Sequence, residues 1–233
     1  MAVEAGTAVS LSESYFLRYF YKDNRDARTA SKRCDFSQGT LSKADATALH
    51  RAVRRLRNFN YDKNSDDGAN IYSSVSAFVE TYNNAMNSAG NSDDVALERY
   101  AKNLKSLSTK YADELEDIGI TLNSDGTLKK NDNRLKAAGI DEVKKLFSED
   151  AGYRTGVYHY AKRMIEKATN LIATEAAEKN AEAAKKSALA EQTAGFFAST
   201  RDGGLSPRVC LECNPEIPVA PWRGTLASGH KPR

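Results

Sequence analysis

At 233 residues, 40% hydrophobic and 28% charged, the chain is long enough for one large or two small domains and has the composition of a protein rich in solvated helices. A net charge of +3 is too small to imply a polyanionic partner. No apolar run approaches the roughly 20 residues of a membrane span, and three cysteines, an odd number, argue against a disulfide framework.

The opening "MAVEAGTAVSLSESYFLRYF" lacks the basic start and long apolar run of a cleaved signal peptide, so the expectation is a soluble chain that does not leave the cell by that route. Charge is then distributed unevenly. Arg18–Arg57 carries eleven Lys/Arg against four Asp/Glu, whereas residues 58–200 carry eighteen against twenty-two. A basic front end on a mildly acidic body can dock on something acidic, dock on the body itself, or serve as a solvated helix face.

Within that basic lead-in, residues 1–60, a helix is predicted over Ser42–Phe59. Leu49, Ala52, Val53, Leu56 and Phe59 share one stripe, with Arg51, Arg54, Arg55 and Arg57 largely off it. Ser42 and Asp45 have the spacing of a capping box. "NYDKNSDDGAN" follows as a loop; it lacks the alternating acids and closing Glu of a calcium site. Ile71, Val75, Phe78, Val79, Tyr82 and Met86 then mark an amphipathic helix over 70–88. Asp93 or Asp94 is the expected cap of a third helix over 94–117. Its seam, Leu97, Tyr100, Leu104, Leu107, Tyr111, Leu115 and Ile118, is close to a heptad repeat.

Gly119 stops that run. Ile118, Ile120 and Leu122 alternate with polar residues, "NSDG" is turn chemistry with Gly126 taking positive φ, and Thr127 and Leu128 begin a return arm. Two short helices follow, with Asn131 or Asp132 and Asp141 as candidate caps. A long helix begins near Tyr153 and runs through Val157, Tyr160, Met164, Ala168, Leu171 and Ile172 into an Ala/Glu/Lys-rich extension poor in large apolar side chains. All five prolines and the single tryptophan lie after Leu205, so the tail over 201–233 reads as irregular.

The predicted fold is mainly α: an elongated antiparallel bundle or coiled coil of helices 70–88, 94–117 and 153–175 within a domain over 70–200. A hairpin insert at 118–130 and the helices of 132–148 are clipped to one end.

"LEDIGITLNSDGTLKKNDNRLKAAGIDEVKKLFSED" resembles the C-terminal segment of the flagellar filament-cap family, hook-associated protein type 2. The matching residues are Ile118, Gly119, Ile120, Asp125, Gly126, Leu128, Leu135, Ala138, Val143, Leu146 and Phe147, together with Phe78, Val79, Tyr82 and Asn83 upstream. The similarity covers about 70–175. It implies a bacterial structural protein of the flagellar axis, acting by self-association and helix-mediated contacts with axial subunits. It also implies an extracellular place reached through the flagellar export apparatus. The family's inserted β-rich domains and its N-terminal helix signature have no counterpart here.

Candidate chemistry is sparse. Cys210 and Cys213 form a C-x-x-C, but the remaining ligands for a zinc site, Cys34 and His230, are one far upstream and one in the tail. His50 and His159 have no acid–nucleophile partner at readable spacing. The arginines of "HRAVRRLR" lie among apolar residues rather than between stacking aromatics, which disfavours nucleic acid. The chain is read as a non-enzyme with no catalytic, cofactor or metal residues. Its alternative role is a cytoplasmic adaptor or regulator whose basic N-terminal helix binds an acidic partner.

Overall fold

The structure, a computed structural model, describes residues 11–61 and 68–199. The loop acids of 62–67, the tail with Cys210, Cys213 and His230, and the first ten residues lie outside the described residues. Compact packing divides the chain into a unit over Met1–Glu182 and a second over Ala183–Arg233. Of the second, the described residues 183–199 are helical.

The fold is mainly α with one small hairpin, as the patterning predicts. Helix α1 spans Leu11–Phe20, and 3₁₀ turns at Asp26–Arg28 and Ala30–Asp35 lead to α2, Gln38–Arg57. Helices α3 (Gly68–Gly90), α4 (Val95–Lys110) and α5 (Ala112–Asp117) precede strands β1 (Ile120–Leu122) and β2 (Leu128–Lys130). Then come α6 (Asp132–Ala137), α7 (Ile140–Phe147) and α8 (Gly152–Ser199).

Four helices make the bundle, and the pairs that meet define its direction. Ser42 of α2 donates its hydroxyl to the carbonyl of Ser88 near the end of α3. Tyr82 of α3 reaches Ser108 of α4 at 2.8 Å, while Gly90 faces Ala101. Leu107 of α4 lies against Gly156 of α8, and Asp94 at the other end of α4 pairs with Lys167 at 2.9 Å. His50 of α2 stacks on Tyr158 at 4.5 Å and Gly39 meets Ile172. Each neighbour therefore runs opposite to the last, α2, α3, α4 and α8 in an up-down-up-down ring. The basic lead-in supplies a full member of the bundle, which was expected to consist of three helices. Its α2 carries enough small buried residues, among them Ser42, Ala46 and Ala48, to pack closely along α3.

Three local expectations are corrected. The capping box at Ser42 and Asp45 does not form. Ser37 caps α2 from an extended backbone, accepting from Thr40, so the helix begins earlier and turns Ser42 and Asp45 into the core. The helix expected over 94–117 breaks at Tyr111, whose ring packs 5.6 Å from that of Tyr153. The change of direction keeps Leu115 and Ile118 inside. Gly139, not Asp141, precedes α7; Asp141 and Glu142 occupy its first turn, where the helix dipole favours carboxylates. Asp94 and Asn131 cap α4 and α6 with two backbone N–H groups each.

Among the described residues no helix is long and apolar enough to cross a membrane. Along α8 every side chain from Ala176 to Glu191 is exposed, including Leu189.

Candidate functional site

The seam residues are spent on the chain's own core. Phe78, Tyr82, Leu97, Leu104 and Leu115 are fully buried and Val79 nearly so; Tyr100, Leu107 and Tyr111 are half-buried against them. Each buried leucine contributes roughly 1.5–3 kcal/mol by leaving water. At the centre Phe78, Phe147 and Tyr153 meet edge to face, with centroids 5.0 to 6.4 Å apart, and so fasten α7 to α3 and α8. The polar ends of this cluster are matched internally. Ser108, fully buried, contacts the hydroxyls of both Tyr82 and Tyr153, which burial holds neutral far above the usual tyrosine range.

The hairpin residues converge as a second group. Ile118, Ile120, Leu128, Leu146 and Phe147 are buried, while Asp125 is exposed at the turn and accepts from the backbone N–H and hydroxyl of Thr127. Those two bonds hold the Asp125 carboxyl below its ordinary value. The strands pair antiparallel with Leu122 opposite Leu128. Gly119 and Gly126 take φ of +79° and +91°. A Cβ on Gly119 would stand 2.6 Å from that of Arg134, and one on Gly126 would stand 2.9 Å from Met86. That the hairpin docks on the helices was expected; the residue that makes the bonds was not. Asn83 donates to the carbonyl of Leu128 at 2.8 Å and accepts from its N–H at 2.7 Å, acting as a third strand one residue long.

A third group carries charge. Asp45, fully buried, accepts from Tyr21 at 2.8 Å and from both terminal nitrogens of Arg33 at 3.0 and 2.7 Å. Asn84 donates to the same tyrosine hydroxyl. This ties the turn segment before α2 to α2 and α3. Burial first, and then the Asp45 carboxylate, push the Tyr21 phenol well up, so it serves as a fixed donor.

On the outer side of α1 and α2 lies a cleft of about 370 Å³ lined by Tyr19, Lys22, Arg51, Arg54, Arg55 and Asn58. Arg51 is committed inward, to the carbonyl of Phe20 at 2.9 Å and to Asp23, whose carboxyl that hydrogen bond holds low. Arg55 rests its guanidinium 5.5 Å from the ring of Phe16, and the Lys22 ammonium lies 5.7 Å over that of Tyr19. Among the described residues no carboxylate forms an ion pair with Arg54 or Arg55, while the Lys22 charge acts on the neighbouring Asp23 carboxylate and helps to hold it low. Tyr19, which lines this cleft, is 50% exposed, and Tyr15, one helical turn before it on α1, is 62% exposed. The arginine cluster was visible in the sequence; its meeting with Lys22 and Tyr19 depends on how α1 folds back.

Cys34 is exposed, and among the described residues no three His, Cys, Asp or Glu side chains gather as a metal site. Of the histidines, His50 stacks on Tyr158 and is held below its ordinary value by burial and then by Arg54, Arg51 and Lys162; His159 is exposed.

Comparison with known proteins finds no match to a family model, to a curated protein or to a solved structure.

Proposed function

We propose that the chain is a non-enzymatic helical module that binds an acidic protein partner through the basic face of α1 and α2. The observation that carries this reading is the α1–α2 cleft, where Arg54 and Arg55 stand without an acid partner among the described residues, Lys22 and Arg51 share Asp23, and the exposed Tyr19 lines the wall. The fully buried seam residues Phe78, Tyr82, Leu97, Leu104 and Leu115 are occupied within the bundle and offer no face to a partner. Charged rims steer and select partners more than they add raw affinity, so the association is fast and salt-sensitive. The test is a titration of the full chain with a fluorescent poly-glutamate peptide across ionic strength. Binding should weaken steadily as salt rises and should be lost when Lys22, Arg54 and Arg55 are all replaced by Gln. A salt-independent affinity, or one that survives the triple replacement, would overturn the reading.

A second reading is assembly on a flagellar axis, in the manner of part of a filament cap. It rests on the sequence resemblance over about 70–175, whose residues Ile118, Ile120 and Leu128 lie buried at the hairpin, with Asn83 of α3 bonded to Leu128. On this reading the hairpin end or the solvated run of α8 contacts neighbouring subunits and the chain works outside the cell. On the first reading it works in the cytoplasm.

A further inference from the structure

We infer that the cleft between α1 and α2 is a binding site for a phosphorylated side chain of the acidic partner; the inference rests on the acidic-partner reading and names the group that is recognised. The argument begins with convergence. An acidic peptide whose carboxylates are spread along its length is matched by a stripe of cations. Here Lys22 from the turn after α1, Arg54 and Arg55 from the last turn of α2, and the Asn58 cap line one cleft of about 370 Å³, which gathers them around a single space rather than along a stripe.

The charge balance agrees. Arg54, Arg55 and Arg57 in the last turn of α2 complement the helix dipole, which accounts for basic residues there. It does not account for Lys22 and Tyr19 facing them across the cleft. Of the four lining cations, Asp23 offsets one. The C-termini of α1 and α2 each contribute about half a negative charge, which leaves an excess of about two positive charges. A phosphomonoester carries about −1.5 to −2 at neutral pH and offers three acceptor oxygens. A single carboxylate neutralises half as much and offers two.

The donors are also prepared. Phe16 lies under the guanidinium of Arg55, and Lys22 rests on Tyr19. Arg51 is tied to Phe20 and Asp23 and closes the inner wall. Less side-chain freedom is therefore lost on binding than with free surface arginines. The exposed part of Tyr19, and Tyr15 one helical turn before it, supply apolar contact for the chain flanking the phosphate. A single-stranded nucleic acid would instead call for a basic groove that tracks a backbone past successive stacking aromatics.

The test uses the full chain and two labelled peptides, one with a phosphoserine flanked by glutamates and the other with serine in its place, read by fluorescence anisotropy. The phosphorylated peptide should bind at least about tenfold tighter. Lys22→Gln and Arg54→Gln should each erode that preference; both side chains are exposed, and unchanged melting curves will confirm that the variants fold. Inorganic phosphate should displace the phosphopeptide from the unmodified chain. Equal affinity for the two peptides would overturn the phosphate assignment and leave the acidic-partner reading standing. Failure of both peptides to bind would overturn both. Tighter binding of a single-stranded oligonucleotide than of the phosphopeptide, or no displacement by phosphate, would also overturn the inference.

Discussion

The side-chain amide of Asn83 hydrogen-bonds both the N–H and the carbonyl of Leu128, so one residue of α3 completes the hydrogen bonding of the hairpin's second strand. Two-stranded hairpins are marginal alone in water. This one is held by that pair of bonds and by the burial of Ile120 and Leu128. Replacing Asn83 by Ala strands two partly buried backbone groups at roughly 1–3 kcal/mol each, so Asn83→Ala should cost about 2–6 kcal/mol in urea unfolding. Hydrogen exchange should show the amide of Leu128 losing protection. An unchanged Leu128 amide in the variant would contradict the clamp.

Gly126 sits at positive φ, wedged against Met86 and Lys105. Gly126→Ala combines left-handed strain of about 1–2 kcal/mol with a methyl that the side chains of Met86 and Lys105 must shift to admit. A loss of about 2–3 kcal/mol by denaturant titration is expected. The exposed turn residue Ser124 makes the matching control, and Ser124→Ala should be nearly neutral.

Asp45 is the buried acid on which Arg33 and Tyr21 depend. Asp45→Ala leaves a guanidinium and a phenol without their acceptor, at about 3–5 kcal/mol, a large part of the 5–15 kcal/mol that holds an ordinary domain together. Thermal melts should show this loss, whereas Lys32→Ala, which removes an exposed pair with Asp26, should leave the melting temperature within about a degree.

Glu80 gives the pH dependence. Burial first, and then the nearby Glu13 carboxylate, raise its pKa above the usual value, against the opposing pull of Lys130, Arg28 and Arg33. The folded state therefore holds a proton that the unfolded chain gives up at about pH 4.3. The stability linked to Glu80 is complete below that value and is lost as pH rises through the folded pKa. Glu80→Gln should raise the melting temperature at pH 7, by a few degrees at most, and the gain should vanish at pH 4. An equal gain at both pH values would contradict the ionised, partly buried carboxylate.

Periodicity carried the helices because burial enforces it. Leu97, Leu104 and Leu115 in α4 and α5, and Phe78 and Tyr82 in α3, had to face a core. The hairpin was legible because Gly119 and Gly126 mark backbone that other residues resist. What escaped depends on distant pairing. Asp45 reads as a capping acid until Arg33 and Tyr21, twelve and twenty-four residues upstream, are folded onto it. Asn83 stands out in the sequence as part of the resemblance, but its bonds to Leu128, forty-five residues on, appear only in the fold. The same holds for the cleft, where Lys22 and Tyr19 gain meaning when α1 brings them opposite Arg54 and Arg55.

The central claim is that the apolar seam is consumed within one chain and that the surface left for partners is charged. Sedimentation velocity of the full chain over a concentration series, at low and at high salt, tests it most directly. The account predicts a monomer at every concentration in both conditions, because Leu97, Leu104 and Leu115 have no exposed surface to share. Oligomers that persist at high salt would contradict it and would favour assembly on a flagellar axis instead.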